Sequence, residues 1–251
     1  MTEHILVAKD DGTWIITMRR PDKKNALTHE MYHAMSKAID AAQCDSVVRC
    51  LIITGSSGVF TAGNDLADFL TTVQNRDGSS SAALRLLHSL NNNKKPLIAA
   101  VDGIAIGIGT TMIFHCDYVV ASKAALFSTP FTSLGLVPEG ASSLLVPRAI
   151  GSHRAFAMLV MGRRFDAEAA RDAGFVNEVV APGHAEAEAR KVAREIAALP
   201  AEAVATARQL IRLDPKTVAE RIDLESEHFA ERLRSQEACD AFSAFFSRKA
   251  G

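Results

Sequence analysis

No stretch of this 251-residue chain stays apolar and uncharged over the ~20 residues that a membrane-spanning helix requires. No cysteines stand at C-x-x-C spacing. Cys44, Cys50, Cys116 and Cys239 are scattered singly, three of them within apolar or helical patterns, which favours reduced structural thiols over a metal site or a disulfide framework. Neither sign of charge prevails, with 28 Lys and Arg against 29 Asp and Glu, so net charge recommends neither nucleic acid nor an anionic membrane surface as a partner. The segment MTEHILVAKD carries neither the apolar core of a secretory signal nor an Arg-rich amphipathic pattern. Internal repeats are absent as well. These absences predict a soluble cytoplasmic protein with no metal and no membrane partner, and the length suits one domain with a sizeable core.

What is present reads as alternating strands and helices. Ile5 to Ala8 and Trp14 to Met18 flank Asp10-Asp11-Gly12, the turn chemistry of a β-hairpin. Further strands are predicted at Val47 to Thr54, Leu97 to Val101, Tyr118 to Ala121 and Ala125 to Ser128. Thr28 is placed to cap a helix whose Met31, Met35, Ile39 and Ala42 recur at helical spacing, and Ser80 to Leu90 sets Leu84, Leu87 and Leu90 on another helical face. Such alternation predicts a layered α/β fold.

Beyond about Gly151, Ala, Arg and Glu dominate and the strand signal shrinks to Val176 to Val180. Gly183 to Leu199 reads as a helix, Pro200 starts another through Leu213, and Pro215 opens a long segment. There Val218, Ile222, Phe229, Leu233 and Phe242 form an apolar stripe that packs onto its own domain or onto a neighbouring subunit. The predicted division is a catalytic core over residues 1–195 and a helical oligomerisation region over residues 196–251 of the same structural domain. The polar stretch Thr71 to Ser81 reads as a flexible insert.

Two glycine-marked turns follow strand-forming runs and open toward helices: Phe60 to Leu66, and Gly103 to Thr111. If they lie side by side, main-chain N–H groups left unpaired by the first turn of a helix can converge on one carbonyl oxygen and stabilise negative charge there. The alternative is that the glycines only permit sharp turns.

Together with Arg20-Pro21-Asp22-Lys23-Lys24-Asn25-Ala26-Leu27 and a Gly103 to Asp117 stretch ending in Cys116-Asp117, Ala62-Gly63-Asn64-Asp65-Leu66 gives a pattern that resembles the crotonase, or enoyl-CoA hydratase/isomerase, superfamily over nearly the whole chain. The resemblance implies a spiral of ββα units with a C-terminal helical region, a trimer or dimer of trimers, and acyl-CoA thioesters as substrates with no further cofactor. It implies that the N–H groups of Asn64 and Ile108 are oxyanion donors. It also assigns Ala62, Gly63, Asp65, Leu66 and Gly107 to the substrate-binding turns, and backbone groups near Asn25, Ala26 and Leu27 to the CoA moiety. Lys23 and Lys24 are either phosphate partners or solvated surface, and Lys249 matches a position where relatives offer a basic residue to the nucleotide.

A hydratase of that family uses two glutamates, and at their positions this sequence has Thr111 and Phe131, neither of which moves a proton as a carboxylate does at neutral pH. Eight residues past Phe131 stands Glu139, between Pro138 and Gly140 in an apolar stretch. This arrangement resembles the peroxisomal-type 3-enoyl-CoA to 2-enoyl-CoA isomerase branch, in which one glutamate does the chemistry. Burial would raise the pKa of Glu139 and a helix N-terminus would lower it. Phe131, Leu134, Leu136 and Val137 either line an acyl pocket or pack in the core. Asp65 reads as a turn-builder, Asp117 as an anchor and His115 as a buried packing residue. The leading expectation is an enoyl-CoA isomerase; the alternatives are a hydratase-like reaction and a catalytically silent acyl-CoA or RNA binder.

Overall fold

The computed structural model describes residues 2–65 and 81–250. Strands β1 (Ile5–Asp10) and β2 (Thr13–Met18) form an antiparallel hairpin. Its two-residue loop, Asp11-Gly12, has φ of 42° and 75°, the left-handed pair that a tight hairpin turn demands. β2 then pairs in parallel with β3 (Cys50–Gly55), β3 with β4 (Leu97–Val101), β4 with β6 (Tyr118–Ser122) and β6 with β9 (Glu178–Val180). A second sheet joins β5 (Ile104–Ile106), β7 (Leu126–Ser128) and β8 (Phe165–Asp166) in the order 5-7-8.

The large sheet is covered on both faces, which is why β3 and β4 read as continuous apolar runs. On one face Leu51, Ile53, Ala99 and Val101 pack with Met31, Met35 and Ile39 of helix His29–Cys44 and with Leu86 and Leu90 of helix Ser81–Asn92. On the other, Ile15, Ile52, Ile98 and Val120 meet Ala185, Ala189, Val192 and Ala193 of helix Ala185–Ala197. Thr28 caps helix His29–Cys44 by accepting from Met31 N at 3.4 Å.

Several boundaries differ from the sequence reading. β3 starts at Cys50 rather than Val47, because Asp45 turns the chain: its Oδ1 accepts from Val47 N and its carbonyl from Val48 N. The strand expected over Val176 to Val180 starts at Glu178, and Val176 is buried in the core ahead of it. The helix expected over Gly183 to Leu199 spans Ala185–Ala197, and the next runs Ala201–Ile211. The segment after Pro215 divides into helices Pro215–Leu233 and Gln236–Ala250. Its apolar stripe divides too. Val218 and Ile222 enter the main core, whereas Phe229, Leu233 and Phe242 cluster with Phe131, Leu134, Leu136 and Ala238. Of the expected insert Thr71 to Ser81 only Ser81 is described, and Leu66 and the side chain of Lys249 also lie outside the described residues. Among the described residues no helix is long and apolar enough to cross a membrane.

Candidate active site

The two glycine turns are neighbours. Thr61 pairs with Ala105 as a parallel bridge, its N–H donating to Ile104 O and its carbonyl accepting from Ile106 N, both at 3.0 Å. Gly63, at φ 86°, lies so close to the second turn that a Cβ there would sit 2.6 Å from Ile106 O. Only glycine satisfies both constraints. A Cβ at Gly109 would likewise meet Thr61 Cγ2 at 2.5 Å.

Within this double turn the N–H groups of Asn64 and Ile108 are among those left over. Leu27 bonds the residues on either side of Asn64, donating to Gly63 O at 2.8 Å and accepting from Asp65 N at 2.9 Å, so in this parallel bridge the N–H of Asn64 faces away from Leu27. Ile108 opens the short helix Ile108–Thr111 behind Gly107, whose carbonyl accepts from Thr110 N and Thr111 N. Among the described residues neither Asn64 N–H nor Ile108 N–H donates to a protein acceptor. The side chain of Asn64 is held by Tyr32, whose hydroxyl donates to Oδ1.

The Arg20 to Leu27 segment braces the first turn. Asn25 is fully buried at φ 54°; its amide donates to Ser56 O at 3.0 Å and Val59 O at 2.7 Å, and its Oδ1 accepts from Arg20 N at 2.8 Å. The Asn25 carbonyl accepts from Thr61 Oγ1 and that of Ala26 from Arg20 Nη1, so these groups tie protein to protein. Ala62 N donates to Lys24 O at 2.9 Å. Asp65 binds the Arg20 guanidinium at 2.5 Å, a longer-range tie than the local turn bond expected of it. Lys23 and Lys24 are exposed.

Phe131 brings the C-terminal helices up to the second turn. A Cβ on Gly107 would lie 3.9 Å from its ring, which meets Phe229 edge-on at 6.5 Å, while Leu134 is half-buried beside it. Glu139 lies three residues before helix Ser142–Ile150. It is 8% exposed, and its Oε1 is buried with no hydrogen-bond partner. Burial first and the negative charge of Glu225 second push its pKa up to about 8.

Glu139 belongs to a turn in which Gly140 and Ala141 have φ of 72° and 57°. His115 is buried and its Nε2 lies 2.8 Å from Gly140 O; a carbonyl only accepts, so this nitrogen carries the proton. Burial pushes the His115 pKa down to about 4, so the ring is neutral. Thr111 is fully buried, and a Cβ on Gly140 would lie 3.5 Å from its hydroxyl oxygen. Asp117 serves as an anchor, accepting from Leu97 N at 2.8 Å, Arg208 Nε at 2.7 Å and Arg212 Nη1 at 3.0 Å.

Glu225 was not among the residues singled out in the sequence. It is buried on helix Pro215–Leu233, and its Oε1 accepts from Ser143 N and Ser143 Oγ. The sequence did carry a signal: Val218, Ile222, Glu225 and Phe229 recur at steps of three and four, so an acid occupies a core-facing position. Among the described residues no group of three or more His, Cys, Asp or Glu is placed to hold a metal.

A profile of the enoyl-CoA hydratase/isomerase family matches residues 8–250. The chain belongs to that family. It is 34% identical to enoyl-CoA delta isomerase 2 of Rattus norvegicus over 98% of its own length and 64% of the relative's, so it spans under two thirds of that protein. It is 30% identical to a probable enoyl-CoA hydratase of Rhizobium meliloti, covering 98% of this chain and 96% of that one. The crystal structure of an enoyl-CoA hydratase/isomerase from Pseudoalteromonas atlantica superposes with a TM-score of 0.93 at 37% identity, over 98% of each chain. The crotonase fold implied by the sequence is thus the fold observed.

Proposed function

We propose that this enzyme is an isomerase that shifts a double bond from C3 to C2 of an enoyl-CoA. Glu139 acts as the single base and the N–H groups of Asn64 and Ile108 as oxyanion donors. The observation that carries the reading is the buried Glu139 carboxyl: it has a free oxygen and a raised proton affinity, while Thr111 and Phe131 stand where a hydratase has its glutamates. Glu139 removes a proton from C2, the C–H electron pair moves toward the thioester carbonyl, and a dienolate forms with its charge on that oxygen. The protonated carboxyl then returns the proton to C4, and the double bond re-forms between C2 and C3. The base is regenerated and nothing is consumed, so no cofactor beyond the CoA of the substrate is required. Two main-chain donors aimed at the enolate oxygen stabilise the charge; one such donor is worth ~3–4 kcal/mol in other enzymes.

In the same reading Lys23, Asn25, Ala26 and Leu27 border the CoA moiety, Ala62, Gly63, Asp65, Leu66 and Gly107 form the thioester turns, and Phe131 and Leu134 line the acyl pocket. A cytoplasmic homotrimer or dimer of trimers, with residues 196–251 at the contacts, completes the proposal. The names of the relatives support it, since delta isomerases are among them; hydratases are also among them and define the rival.

The test is turnover of a panel of 2-enoyl and 3-enoyl thioesters with product identification. Conversion of 3-enoyl to 2-enoyl-CoA is expected, and Glu139→Gln should lower kcat by at least about a thousandfold while thioester affinity is kept. Water addition as the main reaction would establish the hydratase reading. Tight binding without turnover would establish a silent binder, and full activity of the Gln variant would remove Glu139 from the mechanism.

A further inference from the structure

We propose that Glu225 is the positioning residue for the Glu139 base: it clamps the Glu139–Ser143 turn from helix Pro215–Leu233 and sets a second carboxylate near the base. The inference rests on the isomerase reading and adds to it a residue outside both glycine turns. The turn is held at two points. His115 fixes Gly140 through the carbonyl, and Glu225 fixes Ser143 through Oε1, with Ser143 N at 2.9 Å and Ser143 Oγ at 2.5 Å. Between them Ser142 N donates to Glu139 O at 3.2 Å. Two consecutive left-handed residues, one of them the non-glycine Ala141, are not self-supporting and need such restraints.

A clamp alone does not call for a carboxylate. Ser143 offers neutral donors, and an amide oxygen accepts from them as well. Burying a carboxylate without an ion pair is costly, yet Glu225 is 6% exposed, its Oε2 has no hydrogen-bond partner, and among the described residues it forms no ion pair. Burial pushes the Glu225 pKa up, and the Ser143 bonds together with the positive charge of Arg221, one turn earlier and 3.0 Å from Ser143 Oγ, work against that rise and favour the ionised form. Ionising Glu139 beside it places two like charges in one apolar region, which makes Glu139 a stronger base than burial alone would.

The other ionisable groups around the pair are accounted for. His115 is neutral, Arg212 is bonded to His115 O and Asp117, and His88 on the adjoining helix is paired with Asp223 at 2.8 Å.

The experiment compares the wild-type enzyme with Glu225→Gln, Glu225→Asp and Glu225→Ala. The base works ionised, so kcat/KM for a 3-enoyl-CoA rises with pH through the pKa of Glu139. Glu225→Gln keeps an acceptor for Ser143 and removes the charge; its limb is expected to move to lower pH by about one unit. Glu225→Asp should return the limb toward the wild-type position. Glu225→Ala, which loses the clamp as well, should also lower kcat about tenfold. An unmoved limb in a folded Gln variant overturns the proposal.

Titration of ¹³C-labelled glutamate carboxyls by NMR without substrate provides a measurement independent of turnover. In the wild type the Glu139 and Glu225 signals should titrate as a coupled pair; independent curves overturn the proposal without any variant. Coupled carboxyls in a protein that does not isomerise would support the coupling and sink the isomerase reading alone. Active isomerase with independent carboxyls would do the reverse.

Discussion

Asp117 and Glu139 are both carboxylates at the end of apolar segments, and one is saturated with donors while the other has none. Asp117 receives a main-chain N–H and two guanidinium groups, which hold the start of β6 against β4 and the C-terminal helices. Glu139 has an unpartnered buried oxygen beside a second carboxylate. His115 touches both regions, its carbonyl accepting from Arg212 and its ring donating to Gly140. The contrast separates a carboxylate that stabilises from one whose environment raises its proton affinity at the expense of stability.

The largest effect expected in the pair is at the saturated corner. Asp117→Ala leaves the buried Arg208 without its ion-pair partner and Leu97 N without an acceptor, and should cost about 4 kcal/mol in urea unfolding. The pH limb of turnover should stay where it is; a moved limb would erase the distinction between the corners.

Glu139→Gln should act in the opposite direction on stability. Its folded-state pKa is raised from 4.5 to about 8, so the folded protein binds the extra proton between those values. The associated stability is present below about pH 4.5 and is lost as pH rises toward 8. The Gln variant lacks that loss, so its advantage should grow from near zero in acid to about 4 kcal/mol at pH 8. Equal stability of the two proteins across that range would contradict a buried, unpaired carboxyl.

The smallest effect is expected at the link. His115→Phe removes the donor to Gly140 O and should cost about 1–2 kcal/mol in thermal unfolding. It should also reduce turnover about tenfold by loosening the Glu139 turn. A stability loss with unchanged turnover would show that the turn does not depend on this bond.

Local chemistry made much of this legible. β4 spans Leu97–Val101 as read, because a buried central strand leaves an unbroken apolar run, and Thr28 caps its helix because a side-chain oxygen at that position has few other uses. The Asp11-Gly12 turn was equally plain. β8 was missed because two residues carry no periodicity, and the break between Leu233 and Gln236 because the apolar stripe continues across it. Asn25 was read as part of a substrate-binding segment, and its buried amide proves to be engaged with Ser56 and Val59. No local pattern reveals a partner some thirty residues away. Asp65 reached Arg20 for the same reason.

The order of residues by itself determined the α/β alternation, the family, the two glycine turns and a lone glutamate in an apolar setting, since each of these is written in contiguous spacing. Only the tertiary structure decided that Gly63 packs against the Ile106–Gly107 peptide, that Glu139 is buried without a partner, and that Glu225 arrives beside it from a helix over eighty positions later. Proton affinity and unpaired donors depend on what surrounds a group in space, and a chain records that surrounding only once it has folded.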